Sequence, residues 1–169
     1  MTFIKKLILS TILILGVTVA GFAQETEPVE KEPTFFVSDA LMPYVETYFK
    51  ALRADGWDLR GVLAKDFFVV LSHEVGRDNL DGAAGIAEGM NNDEIVLVTI
   101  NTDAWVKLEG YAKQDLINHE LMHDIFNVYH TPEEEENRLM HPSSYPNNWG
   151  DTISRLVGAI SDLNEANGY

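Results

Sequence analysis

The amino-acid sequence predicts an α+β fold, with a small mixed β-sheet and three main helices. Two segments, 66–75 and 94–100, are rich in β-branched or aromatic residues and are predicted to be strands of the core. Three further segments repeat apolar residues at the spacing of an amphipathic helix. We expect one helix before the strands, backing the sheet, and two after them.

The first of these helices is predicted over residues 36–54. Ser38 and Asp39 stand where side chains usually cap a helix N-terminus. Apolar side chains then recur on one face at Leu41, Val45, Tyr48, Phe49 and Leu52.

A weaker strand is predicted over residues 83–89, between the two core strands. The turn sequence MNND follows it directly and leads into the strand at 94–100. This order predicts a hairpin whose first strand lies at the edge of the sheet.

The two later helices are predicted over residues 113–127 and 152–164. In the former, Ile117, Leu121 and Ile125 form an apolar stripe that the histidines avoid. Asp151 is a candidate cap for the latter. Its expected buried side consists of Ile153, Leu156, Val157, Ile160 and Leu163.

The first 23 residues have the order of a secretory signal peptide. Lys5 and Lys6 precede an apolar run over residues 7–15, and small residues follow up to Ala23. The run is short for a membrane span, which needs about 20 residues. We therefore expect cleavage after Ala23, no stable membrane insertion afterwards, and a secreted or periplasmic protein.

The rest of the chain predicts one domain behind a short linker. Residues 24–34 mix Glu, Pro and Thr without an apolar period, which is typical of a disordered acidic linker. Residues 35–169 have the usual size of a single domain.

Composition excludes some kinds of chemistry. The chain has no cysteine, so it has no disulfide, no thiolate metal site and no thiol nucleophile. Its formal charge of -15 becomes -17 once the two lysines of the first 23 residues are removed. Such a surface repels phosphate backbones, and no nucleic-acid partner is expected.

The segment HELMHDIFNVYH, residues 119–130, predicts a metal site. On one helix, His119 and His123 share a face with Cβ atoms about 6 Å apart, close enough to bind one ion. If the helix continued, His130 would lie about 10 Å beyond His123, so the chain must turn back between them. Asn127 is predicted to make this turn, because asparagine readily adopts the left-handed conformation that ends helices.

Glu120 follows the first of these histidines and would lie beside the open position of a bound ion. There it can accept a proton from water. We therefore predict His119, His123 and His130 as metal ligands and Glu120 as general base. The acidic run 133–136 supplies rival oxygen donors to His130, although such a run is usually a solvated loop.

Residues 119–142 resemble the metzincin clan of zinc metallopeptidases. The resemblance rests on the HExxH helix, on a turn residue three positions before a third histidine, and on a downstream "Met-turn", RLMHP. Metzincins usually have HExxHxxGxxH, whereas this chain has asparagine at the turn and one residue more. The extra residue is expected inside the helix, between His123 and Asn127. The spacing HExxHxxxNxxH is similar to that of small secreted bacterial metallopeptidase-like proteins.

This resemblance implies that residues 35–169 form a single metallopeptidase-like domain, a zincin-like minimal catalytic domain with one catalytic Zn²⁺ and a peptide or protein substrate. It assigns Met140 to the hydrophobic floor beneath the metal and Tyr145 to a position that reaches the metal or the oxyanion. An extended peptide is expected to pair with the edge strand near residues 85–89. His73 and His141 have no ligand spacing, and His141 is expected to lie nearer the cleft.

The predicted function is therefore that of a secreted zinc metalloendopeptidase-like hydrolase. One alternative is a non-proteolytic zinc-binding protein whose metal site serves partner binding or stability. Glu120 disfavours it, because a structural site needs no base and prefers a closed fourth position. A small metal-dependent ribonuclease is a further alternative, disfavoured by the signal peptide, the acidic charge and Glu120.

Overall fold

The computed structural model describes residues 32–74, 83–92, 94–132, 138–142 and 146–167. These residues belong to one compact unit, Glu32–Tyr169. The predicted signal peptide and most of the predicted linker lie outside the described residues. Among the helices that are described, none is both long and apolar enough to cross a membrane.

The described residues form a four-stranded mixed sheet in the order β1-β2-β4-β3. Its strands are β1 (Phe35–Val37), β2 (Asp66–Ser72), β3 (Gly85–Ala87) and β4 (Ile95–Asn101). β1, β2 and β4 are parallel, and β3 runs antiparallel to β4 at the edge. The predicted mixed sheet, and the predicted place of the weak strand at its edge, are confirmed.

Helix α1 spans Met42–Ala54, so the prediction that it begins at residue 36 is wrong. Residues 35–37 pair with β2 instead, as their aromatic and β-branched side chains favour. Pro43 lies in the first turn of the helix, where its fixed φ and missing N–H are tolerated. The predicted cap is also wrong, because the helix begins after Leu41 without a side-chain cap.

The core lies between the sheet and helices α1 and α4 (Gly110–Phe126). Phe49 of α1 packs against Phe67 of β2, with ring centroids 5.5 Å apart, and α4 contacts β3 and β4. Alternate residues of the two central strands are fully buried on one face: Phe67, Val69, Val96, Val98 and Ile100. This face fixes the position of α4, which carries the candidate site.

Two short helices, α2 (Arg60–Leu63) and α3 (Thr102–Trp105), were not predicted. The second begins immediately after β4, where the Asn101 side chain accepts hydrogen bonds from the N–H groups of Asp103 and Ala104. The last residue of β4 therefore also caps the N-terminus of α3, and the helix begins without an intervening loop.

Helix α5 spans Trp149–Asn167, and its observed rotation differs from the predicted one. Leu156 and Ile160 are buried as expected, but Ile153 and Val157 are 61% and 60% exposed, so that part of the prediction is wrong. Thr152 and Arg155 are buried instead.

Polar contacts with α4 explain this rotation. The Thr152 hydroxyl donates to the Tyr111 carbonyl at 3.1 Å, and the Arg155 guanidinium lies 3.2 Å from the Asp115 carboxylate. Asp151 lies inside the helix, and its N–H donates to the Asn148 side chain at 3.1 Å. The predicted cap at Asp151 is therefore wrong, because Asn148 takes that position.

Candidate metal centre

The end of α4 brings the third histidine back to the first two. The helix ends at Phe126, and Asn127 adopts the left-handed conformation with φ 54° and ψ 34°. The Val128 N–H then donates to the Met122 carbonyl at 3.4 Å, which closes the helix end. The predicted turn at Asn127 is confirmed, and the additional residue does lie inside the helix.

The Nε2 atoms of His119, His123 and His130 converge on one point. The His123 atom lies 3.0 Å from each of the other two, which are 3.2 Å apart. Tetrahedral zinc with nitrogens at about 2.0–2.1 Å separates its ligands by about 3.3 Å. The three side chains are therefore close enough to hold one metal ion.

Backbone carbonyls fix the orientation of two of these imidazoles. His119 Nδ1 lies 2.7 Å from the Leu139 carbonyl, and His123 Nδ1 lies 2.5 Å from the Val128 carbonyl. A carbonyl only accepts, so each Nδ1 carries the proton and each Nε2 presents a lone pair. Two facing lone pairs cannot bond to each other, whereas both can bind one cation.

The three imidazoles are also in the form that binds metals. Burial lowers the pKa of His119 to about 3, and the neighbouring histidines act in the same direction. Burial likewise lowers the pKa of His123 and of His130. Neutral imidazoles need not lose a proton before they bind an ion near neutral pH.

Glu120 lies beside this cluster, against the backbone of the edge strand. Its side chain is only 6% exposed. A Cβ atom added at Gly85 would lie 2.8 Å from the Cγ and Oε1 atoms of Glu120, so any other residue would require the Glu120 side chain to shift. Burial raises the pKa of Glu120 to about 8, and the charge of Asp124 acts in the same direction. A carboxyl group with this pKa is mostly protonated near neutral pH and accepts a proton only in its ionised form, which the charge of a nearby cation would favour.

A cleft of about 140 Å³ opens in front of these side chains. Helix α4 forms one wall, and residues 83–85, at the start of the edge strand, form another. His141 also lines the cleft, so its predicted position near the site is confirmed. His73 does not line it; that side chain is exposed and lies 3.2 Å from the Asp103 carboxylate.

The turn at residues 138–142 supports the cluster through its backbone. The Leu139 carbonyl accepts a hydrogen bond from His119 Nδ1. The Met140 carbonyl accepts a hydrogen bond from the Thr131 N–H at 3.0 Å. Met140 itself is buried in the apolar core. Tyr145 and the acidic run 133–136 lie outside the described residues.

Sequence reasoning missed two groups of residues around the site. Asp124 accepts hydrogen bonds from Gly89 and Leu97, and its position one turn after Glu120 was the available signal. Asp115 lines the cleft and pairs with Arg155. Burial raises the pKa of Asp115 to about 7, and the Arg155 guanidinium opposes this rise. No local sequence pattern connects Asp115 with Arg155, because the two residues lie on different helices.

The described fold is a mixed α/β domain with a three-histidine cluster, in which His119 and His123 lie on α4 and His130 follows the turn that ends it. Comparisons with models of protein families, with curated proteins and with solved structures found no match to this chain.

Proposed function

We propose that the protein is a secreted zinc-dependent metallopeptidase with a metzincin-like catalytic domain. One observation carries the proposal: three converging imidazole nitrogens lie beside a buried glutamate, in a cleft bounded by the edge of a sheet. The predicted signal peptide supports secretion.

Zinc is the metal that this ligand set suits best. Imidazole nitrogens bind zinc, copper, iron and nickel, and the chain offers no thiolate that would favour a closed site. Among the described residues, three side chains can bind the ion and they face an open cleft, which is typical of catalytic zinc, whereas structural sites have four protein ligands. This feature also disfavours a purely structural role for the metal.

Zinc held by the three histidines would lower the pKa of a water molecule from 15.7 to about 7 and polarise the substrate carbonyl. In the proposed reaction, Glu120 accepts a proton from the water, and the water oxygen forms a bond with the carbonyl carbon. The C–N bond then breaks, and Glu120 passes the proton to the leaving amine. No bond between enzyme and substrate is needed. An oxyanion role for Tyr145 stays a prediction.

The edge of β3 opposite β4, with which no other described strand pairs and which we call the open edge, is the proposed binding position of the peptide. The Ala84 carbonyl accepts a hydrogen bond from the Asn101 N–H at 2.9 Å, and the Glu88 N–H donates to the Leu97 carbonyl at 2.7 Å. Antiparallel alternation then directs the N–H and C=O groups of the odd residues, Gly85 and Ala87, away from β4. Because Gly85 lies against Glu120, a peptide paired here would pass directly in front of the general base.

The decisive experiment compares wild type with Glu120→Gln in a metal analysis and a peptide-library cleavage assay. Both proteins should contain about one zinc per chain, because Glu120 is not a ligand. The variant should lose about 10²- to 10⁴-fold in cleavage rate, since it lacks the base.

Two further variants complete this test. His123→Ala should lose both zinc and cleavage, whereas His73→Ala, which removes an exposed histidine outside the cleft, should retain both. Full cleavage by Glu120→Gln would refute the mechanism. A zinc-loaded wild type that cleaves no peptide would instead favour the non-proteolytic alternative.

A further inference from the structure

Polar residues at the C-terminal end of α4 face the β3–β4 hairpin. Glu120, Asp124 and Asn127 follow at intervals of four and three residues, which places them on one side of the helix. Each meets the backbone of the β3–β4 hairpin. The three contact points are Gly85 at the start of β3, Gly89 beyond its end, and Asn91 in the turn.

The Asp124 side chain accepts hydrogen bonds from backbone N–H groups of the hairpin, as the carbonyl of a neighbouring strand would. One of its oxygens accepts the N–H of Gly89 at 2.8 Å and the N–H of Leu97 at 3.1 Å, and the residue is 2% exposed. A Cβ atom at position 89 would lie 2.6 Å from the same oxygen, so this approach needs glycine. A buried carboxylate with two N–H donors is a strong and directional anchor.

Asn127 fixes the tip of the same hairpin. Its side-chain oxygen accepts the Asn91 N–H at 2.5 Å. Both residues are left-handed, with φ 54° at Asn127 and 64° at Asn91. The residue that ends the metal-binding helix therefore also holds the turn of the edge hairpin.

We propose that Asp124 and Asn127 are positioning residues that hold the open edge of β3 in place beside the metal centre. Neither lines the cleft, so each acts through the hairpin and not on the substrate. The inference rests on the proposed function, because the open edge of β3 is the proposed binding position of the peptide. It adds that this position is set by the metal-binding helix itself.

A matched pair of glycine variants tests this role. Asn127→Gly removes the acceptor, and glycine keeps the left-handed conformation without strain. Asn91→Gly removes the same atoms from the other left-handed residue, whose side chain makes a long, exposed contact of 3.5 Å with the Tyr129 hydroxyl, but it keeps the backbone N–H that donates. The measurements on the full chain are zinc content, kcat and KM for a cleaved peptide, and hydrogen exchange of the amide at residue 91.

In Asn127→Gly, the zinc content should stay at the wild-type value, while the amide at residue 91 exchanges faster. Its KM should rise about three- to tenfold, as expected for one lost hydrogen bond, with a smaller change in kcat. Asn91→Gly should stay close to wild type in all three measurements. Asn127→Asp keeps an acceptor and should restore the KM.

Equal KM and equal exchange in the two glycine variants would overturn the inference. A wild type without peptidase activity would refute the proposed function, and the exchange measurement would still decide whether Asn127 holds the hairpin. The two failures are therefore distinguishable.

Discussion

Helices α4 and α5 pack against each other but distribute their polar residues differently. Half of the ten buried residues of α4 are polar: Gln114, Asp115, Asn118, Glu120 and Asp124. Helix α5 is amphipathic in sequence, yet it buries Thr152 and Arg155 and exposes Ile153 and Val157. In both helices, contacts between polar partners determine the orientation of the side chains as much as apolar burial does.

Approximate magnitudes explain why the polar contacts prevail in α5. Full burial of an aliphatic side chain stabilises a protein by roughly 1.5–3 kcal/mol. Ile153 and Val157 are about 60% exposed, so each loses part of that stabilisation. Leaving the buried Asp115 without Arg155 would cost about 3–5 kcal/mol. The second cost is comparable to or larger than the first, so the observed rotation is favoured.

Arg155→Met should show the largest effect on stability, because it leaves the Asp115 carboxylate buried without its cation. We expect the free energy of unfolding to fall by about 3–5 kcal/mol, measured by urea unfolding of chelator-treated protein. The double variant Asp115→Leu, Arg155→Met should recover most of this loss. An Arg155→Met protein as stable as wild type would show that the pair does not determine the rotation of α5.

Leu156→Ala should show an intermediate effect. Leu156 is buried beside α4 and is expected to lose about 2–3 kcal/mol of unfolding free energy on truncation. The same urea titration measures it. A loss well below 1 kcal/mol would mean that this face of α5 is not part of the core.

Ile153→Ser should show the smallest effect. Its side chain is largely exposed, so the free energy of unfolding should change by no more than about 0.5 kcal/mol. The helix face predicted from sequence requires similar losses at Ile153 and Leu156, whereas the structure requires different ones. Equal losses in the two variants would restore the sequence-based orientation.

The sequence predicted the elements of the fold better than their orientation. Strong β-branched runs located β2 and β4, and the weak segment before MNND located β3, because these signals are local. The strand at residues 35–37 was missed, because three residues are too few to show an alternating strand pattern and the helical apolar pattern begins directly after them. The rotation of α5 was missed because it depends on Asp115, which lies 40 residues before Arg155.

The three-histidine cluster was predictable because every part of it lies within twelve residues. Helical spacing placed His119 beside His123, and steric preference placed the turn at Asn127. The carbonyl partners of the imidazoles and the contacts of Asp124 were not predictable. They depend on backbone groups brought together by the tertiary fold, which leave no mark on side-chain identity.

The turn at Asn127 also has a consequence for the order in which the site assembles. The contacts within the histidine cluster span at most 11 residues, whereas the contacts of Asp124 and Asn127 with the hairpin span 27 to 36 residues. Short loops cost less entropy to close, so local contacts tend to form first. An ion captured by the cluster during folding would fix the turn before the hairpin arrives. The metal would then act as a template on which the edge of the sheet docks.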